Sequence, residues 1–201
     1  MKPPDWEGFI SAIVAAPEDD TLRLVAADFL EENGEPDRAA FIRVQVALAS
    51  LEADDLSESL EADELRKKER ALLGPLSEFP HLWAAEECPE LVRVTPTRSG
   101  SLHVEGTNRL VWRRGFVEEV RCPAAEWLRH GAAVRRRNPV RVLYLSACES
   151  PTRDAWYAGL PALEGLEYID LRTTHSVDVT NGLGRWLKGW LPGTEVSWIP
   201  F

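Results

Sequence analysis

Five carboxylates crowd the early part of the chain: Asp19, Asp20, Asp28, Glu31 and Glu32. Asp28, Glu31 and Glu32, spaced i, i+3 and i+4, fall on one face of a helix. That is the arrangement a divalent-cation site or a general acid–base pair would need. A hydrolase built on Asp28 and Glu31 would have to bind a metal ion. The competing account has Asp19 and Asp20 capping a helix while Asp28 pairs with Arg23, Arg38 or Arg43. No histidine occurs in the first 80 residues and no EF-hand spacing appears, so the capping and pairing account is preferred. Cys88, Cys122, His130 and Cys148 lack the C-x-x-C and H-x-x-x-H spacings of zinc sites. There is no G-x-S-x-G elbow, and nothing ties a serine or cysteine to His103, His130 or His175. Gly182-Leu183-Gly184 is too short for a phosphate loop and has no Lys-Ser/Thr after it. No catalytic residue, metal ligand or cofactor is therefore assigned, and a non-enzymatic protein is expected.

The second chemical concentration is cationic. Arg135-Arg136-Arg137, with Arg129 and Arg141 nearby and Trp112 and Trp127 interleaved, could meet single-stranded nucleic acid. The alternative is a convex helix whose arginines pair with acidic groups of the same chain. A sequence pI near 5.0 argues against an autonomous nucleic-acid binder. The nucleic-acid reading is kept for an accessory subunit within a larger nucleoprotein complex.

Charge also divides the chain. Of its 201 residues, 1–90 carry 22 acidic and 8 basic side chains, whereas 91–201 carry 11 and 15, within a net charge of −10. Such asymmetry predicts two modules. Seven of the eight tryptophans follow residue 80. No apolar run approaches the ~20 residues needed to span a bilayer. The start, MKPPDWEGFI, has neither a basic n-region nor an apolar h-region. Three cysteines make no disulfide framework and suit a reducing compartment. A cytoplasmic location without membrane contact is expected.

The elements that would position these residues change period midway. Asp5 is expected to cap a helix with Phe9, Ile10, Ile13 and Val14 on one face, ending before Pro17. Asp19, Asp20 and Thr21 offer caps to a second helix, stopped by Asn33-Gly34. Pro36-Asp37 opens a third, carrying Phe41, Val44, Leu48 and Leu51. A fourth, over 56–73, has Asp63–Lys67 and Glu64–Lys68 pairs and ends at Gly74-Pro75. Residues 76–109 read as a linker, with a short helix around Leu82–Glu87 and a small hairpin from Leu91–Val94 and Ser101–Val104.

From residue 110 an internal repeat dominates. Val117–Cys122, Val140–Leu145 and Leu166–Leu171 align on an L-x-x-L-x-L frame, spaced 23 and 26 residues apart, with a degenerate copy at Val196-Ser197-Trp198. These spacings fall in the range of leucine-rich repeats, in which each copy adds one strand to a parallel ladder and buries its frame residues. Residues between frame positions then line the concave face in columns: Glu119, Val142, Tyr168 and Glu195; Arg121, Tyr144, Asp170 and Ser197; Ser146 and Arg172. Two tyrosines flanked by arginine and aspartate form a surface of the kind enriched at protein interfaces, against the bland account of ordinary solvated positions. The candidate protein-binding residues are Arg121, Tyr144, Tyr168, Asp170 and Arg172. The tail tryptophans Trp186, Trp190 and Trp198 are expected to seal the open end of the ladder, or to form a docking patch if exposed.

Residues 9–45 contain Pro17-Glu18-Asp19-Asp20-Thr21-Leu22, Ala27-Asp28-Phe29-Leu30-Glu31-Glu32-Asn33-Gly34 and Arg38-Ala39-Ala40-Phe41-Ile42-Arg43. This run resembles the repeat-companion domain of planctomycete-type bacterial proteins, which is found beside leucine-rich repeats. Arg113–Val120 and Trp127–Gly131 resemble the junction those proteins share. Ala26 and Phe29 stand where a Tyr and a Trp are usual in the Y-A-D-W-L-E-E signature, both apolar exchanges. The resemblance implies an architecture and an interaction role, and it carries no reaction.

The sequence thus predicts an α+β protein. An acidic N-terminal helical bundle spans 1–75, a linker and small hairpin 76–109, and a short leucine-rich-repeat-like solenoid with a parallel strand ladder 110–201. The expected function is non-catalytic protein recognition, as an adaptor or accessory subunit using the concave face. The alternative is a nucleoprotein subunit contacting nucleic acid through Arg129, Arg135, Arg136, Arg137 and Arg141.

Overall fold

Helix α1 (Trp6–Ala15) starts the helical module. Asp5 lies in helical φ/ψ and makes no side-chain capping bond, since a cap needs an extended residue to swing its oxygen over the first turn. Asp19 is extended, and its carboxylate accepts from the Thr21 N–H at 2.9 Å to open α2 (Asp20–Glu32). That helix ends in a Schellman turn. Gly34 sits at φ +85°, and the Glu35 N–H donates back to the Leu30 carbonyl at 2.9 Å. Helix α3 spans Pro36–Ala53 and closes the same way, with Asp55 taking the left-handed position at φ +58° and Leu56 N–H returning to Leu51. Ser59 caps α4 (Leu60–Leu73), so this helix begins four residues later than its apolar pattern suggested. The structure, a computed structural model, describes residues 5–73, 78–96, 102–105, 109–173 and 177–198.

The segment read as a linker is partly built into the fold. It contains α5 (Glu78–Glu87) and an antiparallel hairpin of β1 (Arg93–Pro96) and β2 (Leu102–Glu105). Ala84, Cys88, Leu91 and Val92 are buried in the core of the second half, so this stretch is part of that core and not a mere spacer.

Strands β3 (Arg109–Arg113) and β4 (Phe116–Pro123) form an antiparallel hairpin. Each further strand follows a helical crossover: α6 (Ala124–Arg137) leads to β5 (Val142–Ser146). Next, α7 (Arg153–Gly159) and a 3-10 turn (Leu160–Ala162) lead to β6 (Tyr168–Leu171), and α8 (Val177–Trp190) to β7 (Glu195–Trp198). The five-stranded sheet has the order β3-β4-β5-β6-β7, parallel from β4 onward. The chain is α+β, with helices first and the ladder after.

The ladder register aligns Glu119 with Val142, Tyr168 and Glu195, and Arg121 with Tyr144, Asp170 and Ser197. Val120, Leu143, Ile169 and Val196 share the other side with Cys122, Leu145 and Leu171, in one core with Trp127, Trp156 and Leu187 of the crossover helices. Each such side chain contributes about 1.5–3 kcal/mol by leaving water. Leu187 and Leu191 close the β7 end of this core with Trp198 packed against it. Trp186 also packs against this core, and the 54%-exposed Trp190 joins it around Tyr157, whose ring centroid is 5.0 Å from that of Trp186 and 6.1 Å from that of Trp190.

The helical module grips the other end. Phe116, the first residue of β4, belongs to the helical core with Trp6, Ile10 and Ile42. The Arg114-Gly115 turn is held from three sides: Arg38 Nη2 donates to the Gly115 carbonyl at 2.7 Å, Gly115 N–H to Gln45 Oε1 at 2.7 Å, and Arg23 Nη1 to the Arg114 carbonyl at 3.2 Å. Gly115 is at φ +83°, and a Cβ there would lie 2.8 Å from the Ile42 Cα, so both its backbone geometry and its closeness to α3 demand glycine.

Candidate functional site

Arg121 on β4, Tyr144 on β5 and Asp170 on β6 stand side by side because the ladder is in register. Tyr168 occupies the adjacent column and Arg172 follows β6 directly. The five residues singled out from the sequence come together. The Arg121 guanidinium lies 4.3 Å from the Tyr144 ring centroid and that of Arg172 lies 5.9 Å from it, while the Tyr144 and Tyr168 rings are 5.8 Å apart at 57°. Arginine over an aromatic face gains from the ring quadrupole and holds its planar fork in one orientation.

Each arginine is fixed from below by a carboxylate two residues earlier on the same strand face. Arg121 donates through Nε to Glu119 Oε1 at 2.7 Å, and its Nη2 forms an ion pair with the same oxygen at 2.6 Å. Arg172 donates through Nε to Asp170 Oδ2 at 2.8 Å, and this bond with the Asp170 charge raises the Arg172 pKa. Asp170 is only 1% exposed, so it lies beneath the surface, and its Oδ1 has no hydrogen-bond partner among the described residues. The guanidiniums stay outside, with side chains 41% and 44% exposed. Arg121, Tyr144, Ser146 and Arg172 line a pocket of about 200 Å³ whose other walls are Cys122 and Leu145.

The other arginines divide between exposed positions and internal partners. Arg129 and Arg136 are exposed on α6. Arg135 bonds the Glu164 carbonyl at 2.5 Å, and burial lowers its pKa. Arg137 clasps both Glu90 oxygens and the Glu87 carbonyl. Arg141, ahead of β5, pairs with Glu18, with Glu167 at 2.5 Å and with Glu118 at 3.8 Å.

The early carboxylates are likewise engaged. Asp28 and Glu31 both accept from Arg43 Nη2 at 2.6 Å, clasping α2 to α3 on the surface. Glu18 bridges Arg114 and Arg141. Partial burial pushes its carboxyl up, but the Arg114 hydrogen bond and the two guanidinium charges outweigh this and hold it below the usual value. Burial pushes the Cys122 and Cys148 thiols up to about 12, which leaves them poor nucleophiles. Among the described residues no cluster of three or more His, Cys, Asp or Glu side chains could hold a metal ion, and no helix is long and apolar enough to cross a membrane.

Sequence reasoning missed the buried clasp between the modules. Arg23, fully buried, donates from Nη2 to Glu118 Oε1 and to the Pro17 carbonyl, both at 2.7 Å. Arg38 stacks 4.8 Å from the Trp83 ring and 4.5 Å from the Trp112 ring, and burial, only partly offset by Glu87, lowers its pKa to about 10. The opposite charges of the two halves were the available signal. It also missed a cleft of about 530 Å³ between α3, α4 and the β3–β4 hairpin, floored by Leu48, Ala49 and Trp112. The chain matches no family model, no curated protein and no solved structure.

Proposed function

We propose that this chain is a non-catalytic protein-recognition module, an adaptor or accessory subunit that presents the concave face of a short leucine-rich-repeat-like ladder to another protein. In this reading residues 1–75 act as a repeat-companion domain that covers one end of the ladder, and the protein works in the cytoplasm. The observation that carries it is the Arg121–Tyr144–Arg172 stack beside Tyr168: half-buried, pre-ordered side chains of the types that dominate protein–protein hot spots. The engagement of Asp28 and Glu31 by Arg43, and the high thiol pKa values, favour binding over catalysis. The nucleoprotein alternative has less support, because Arg135, Arg137 and Arg141 spend their donors within the chain.

The test is affinity capture from native lysate with the wild-type chain and a Tyr144→Ala/Tyr168→Ala variant, each washed with and without nuclease and read by mass spectrometry. A protein partner that survives nuclease and is lost by the variant supports the reading. Partners that vanish with nuclease favour the arginines of α6. A correctly folded variant that keeps its partner refutes the concave-face assignment.

A further inference from the structure

The concave face carries its charge in two layers. Glu119 and Asp170 are buried, and the guanidiniums they hold lie above them, so the surface offered to a partner is positive although the four groups sum to zero. Both terminal nitrogens of Arg172, and Nη1 of Arg121, have no protein partner among the described residues. These are forked N–H donors already locked in orientation by a carboxylate at one edge and a tyrosine face alongside. A carboxylate is the group whose two oxygens match such a fork.

The pocket sets the size of the guest. At about 200 Å³ it falls below the roughly 300–1,000 Å³ of sites that enclose whole small molecules. One amino-acid side chain fits that description. The Tyr144 ring gives it an apolar wall for methylene groups, and exposed Ser146 adds a hydroxyl. Stacking of a nucleobase on Tyr144 is disfavoured, because guanidinium groups already flank that ring.

We propose that the pocket between Arg121 and Arg172 receives the carboxylate of an aspartate or glutamate side chain carried on an acidic segment of the protein partner. This rests on the recognition reading above and specifies its chemistry. The carboxylate takes its hydrogen bonds from the free guanidinium nitrogens, and its methylenes lie against the Tyr144 ring. Tyr144 keeps the two forks apart and oriented.

The experiment selects peptides from a random display library on the immobilised full chain and titrates the synthetic winners by fluorescence anisotropy. Enriched peptides are expected to share an Asp or Glu, and changing it to the amide should weaken binding about tenfold or more, as loss of a charge-assisted fork does. Arg121→Gln and Arg172→Lys should each weaken it comparably. Arg172→Lys keeps a positive charge over Asp170, and the peptide substitution leaves the protein untouched, so misfolding cannot mimic the result. Peptides that require Tyr144 and Tyr168 but ignore the acid-to-amide change would overturn the carboxylate proposal and leave the recognition face standing. Peptides indifferent to Tyr144→Ala, or no enrichment at all, would overturn both. A labelled oligouridylate that binds through Arg121 and Arg172 more tightly than any acidic peptide would also overturn it.

Discussion

Replacing Arg23 with methionine is expected to lower folding stability by about 3–5 kcal/mol, the usual cost of stripping one partner from a buried ion pair. Methionine keeps the apolar stem but removes the donors to the Pro17 carbonyl, the Arg114 carbonyl and Glu118 Oε1. Glu118 is then left buried, with Arg141 as its nearest guanidinium at 3.8 Å. A stranded carbonyl costs roughly 1–3 kcal/mol and a stranded carboxylate more, while the Arg114 and Arg141 charges limit the total. Arg23→Met/Glu118→Leu removes the stranded charge and should recover at least about 2 kcal/mol of the loss, since well-packed apolar replacements of buried pairs are often close to neutral. The assay is urea unfolding followed by far-ultraviolet dichroism and by tryptophan emission. Seven of the eight tryptophans lie after residue 80, so emission reports mainly on the second half. The two probes should coincide in the wild type and separate in Arg23→Met as the modules uncouple. A loss under about 1 kcal/mol with an unchanged urea slope, or a double variant that costs the sum of its singles, would refute the clasp as the coupling element.

Two further variants probe the Gly115 turn and the carboxylate–arginine pairs. Gly115→Ala should cost about 3 kcal/mol, combining the left-handed backbone penalty of about 1–2 kcal/mol with overlap against Ile42, and is read from the urea midpoint. Glu18 and Glu90 are both held below the usual carboxylate range: burial pushes each up, but arginine hydrogen bonds and charges prevail. A depressed folded value means their stabilisation is present above the unfolded carboxylate pKa and is lost as pH falls through the folded one. Stability measured from neutral pH down to pH 3 should therefore decline, and decline less steeply in Glu18→Gln/Glu90→Gln. An identical slope in the variant would exclude these pairs as the cause.

The ladder was legible because a frame repeated every 23 to 27 residues fixes both period and register. Once Val120, Leu143, Ile169 and Val196 are aligned, strict alternation places Arg121, Tyr144 and Asp170 on the opposite face. Depth was not legible. Asp170 sits in an outward column and reads as exposed, yet Arg172 folds back over it and leaves it 1% exposed. The cap expected at Asp5 failed for a similar reason, as residue type offers a cap but local φ/ψ decides whether it is used. The clasp was hidden because Arg23 and Glu118 are 95 positions apart, and charge asymmetry predicts attraction between halves without choosing partners. Cys88, Leu91 and Val92 lie in a segment too short and irregular for periodicity to mark as core.

Salt separates the two partner chemistries. The chain carries a net charge of −10, so an acidic partner is repelled at long range and attracted only where the guanidiniums are close. The Debye length falls from about 30 Å at 0.01 M to about 8 Å at 0.15 M ionic strength. Added salt over that interval screens the repulsion between whole molecules more than it screens fork-to-carboxylate contacts at hydrogen-bond distance. Affinity for an acidic peptide is therefore expected to stay level or rise modestly across the interval, with the gain in the association rate. A nucleic-acid partner would behave oppositely, because each phosphate contact releases counterions and affinity falls by orders of magnitude as salt rises. Measuring Kd and both rate constants at the two salt concentrations decides the matter. A steep loss of affinity with salt would show that a broad cationic surface, and not a pair of pre-oriented forks over buried carboxylates, does the binding.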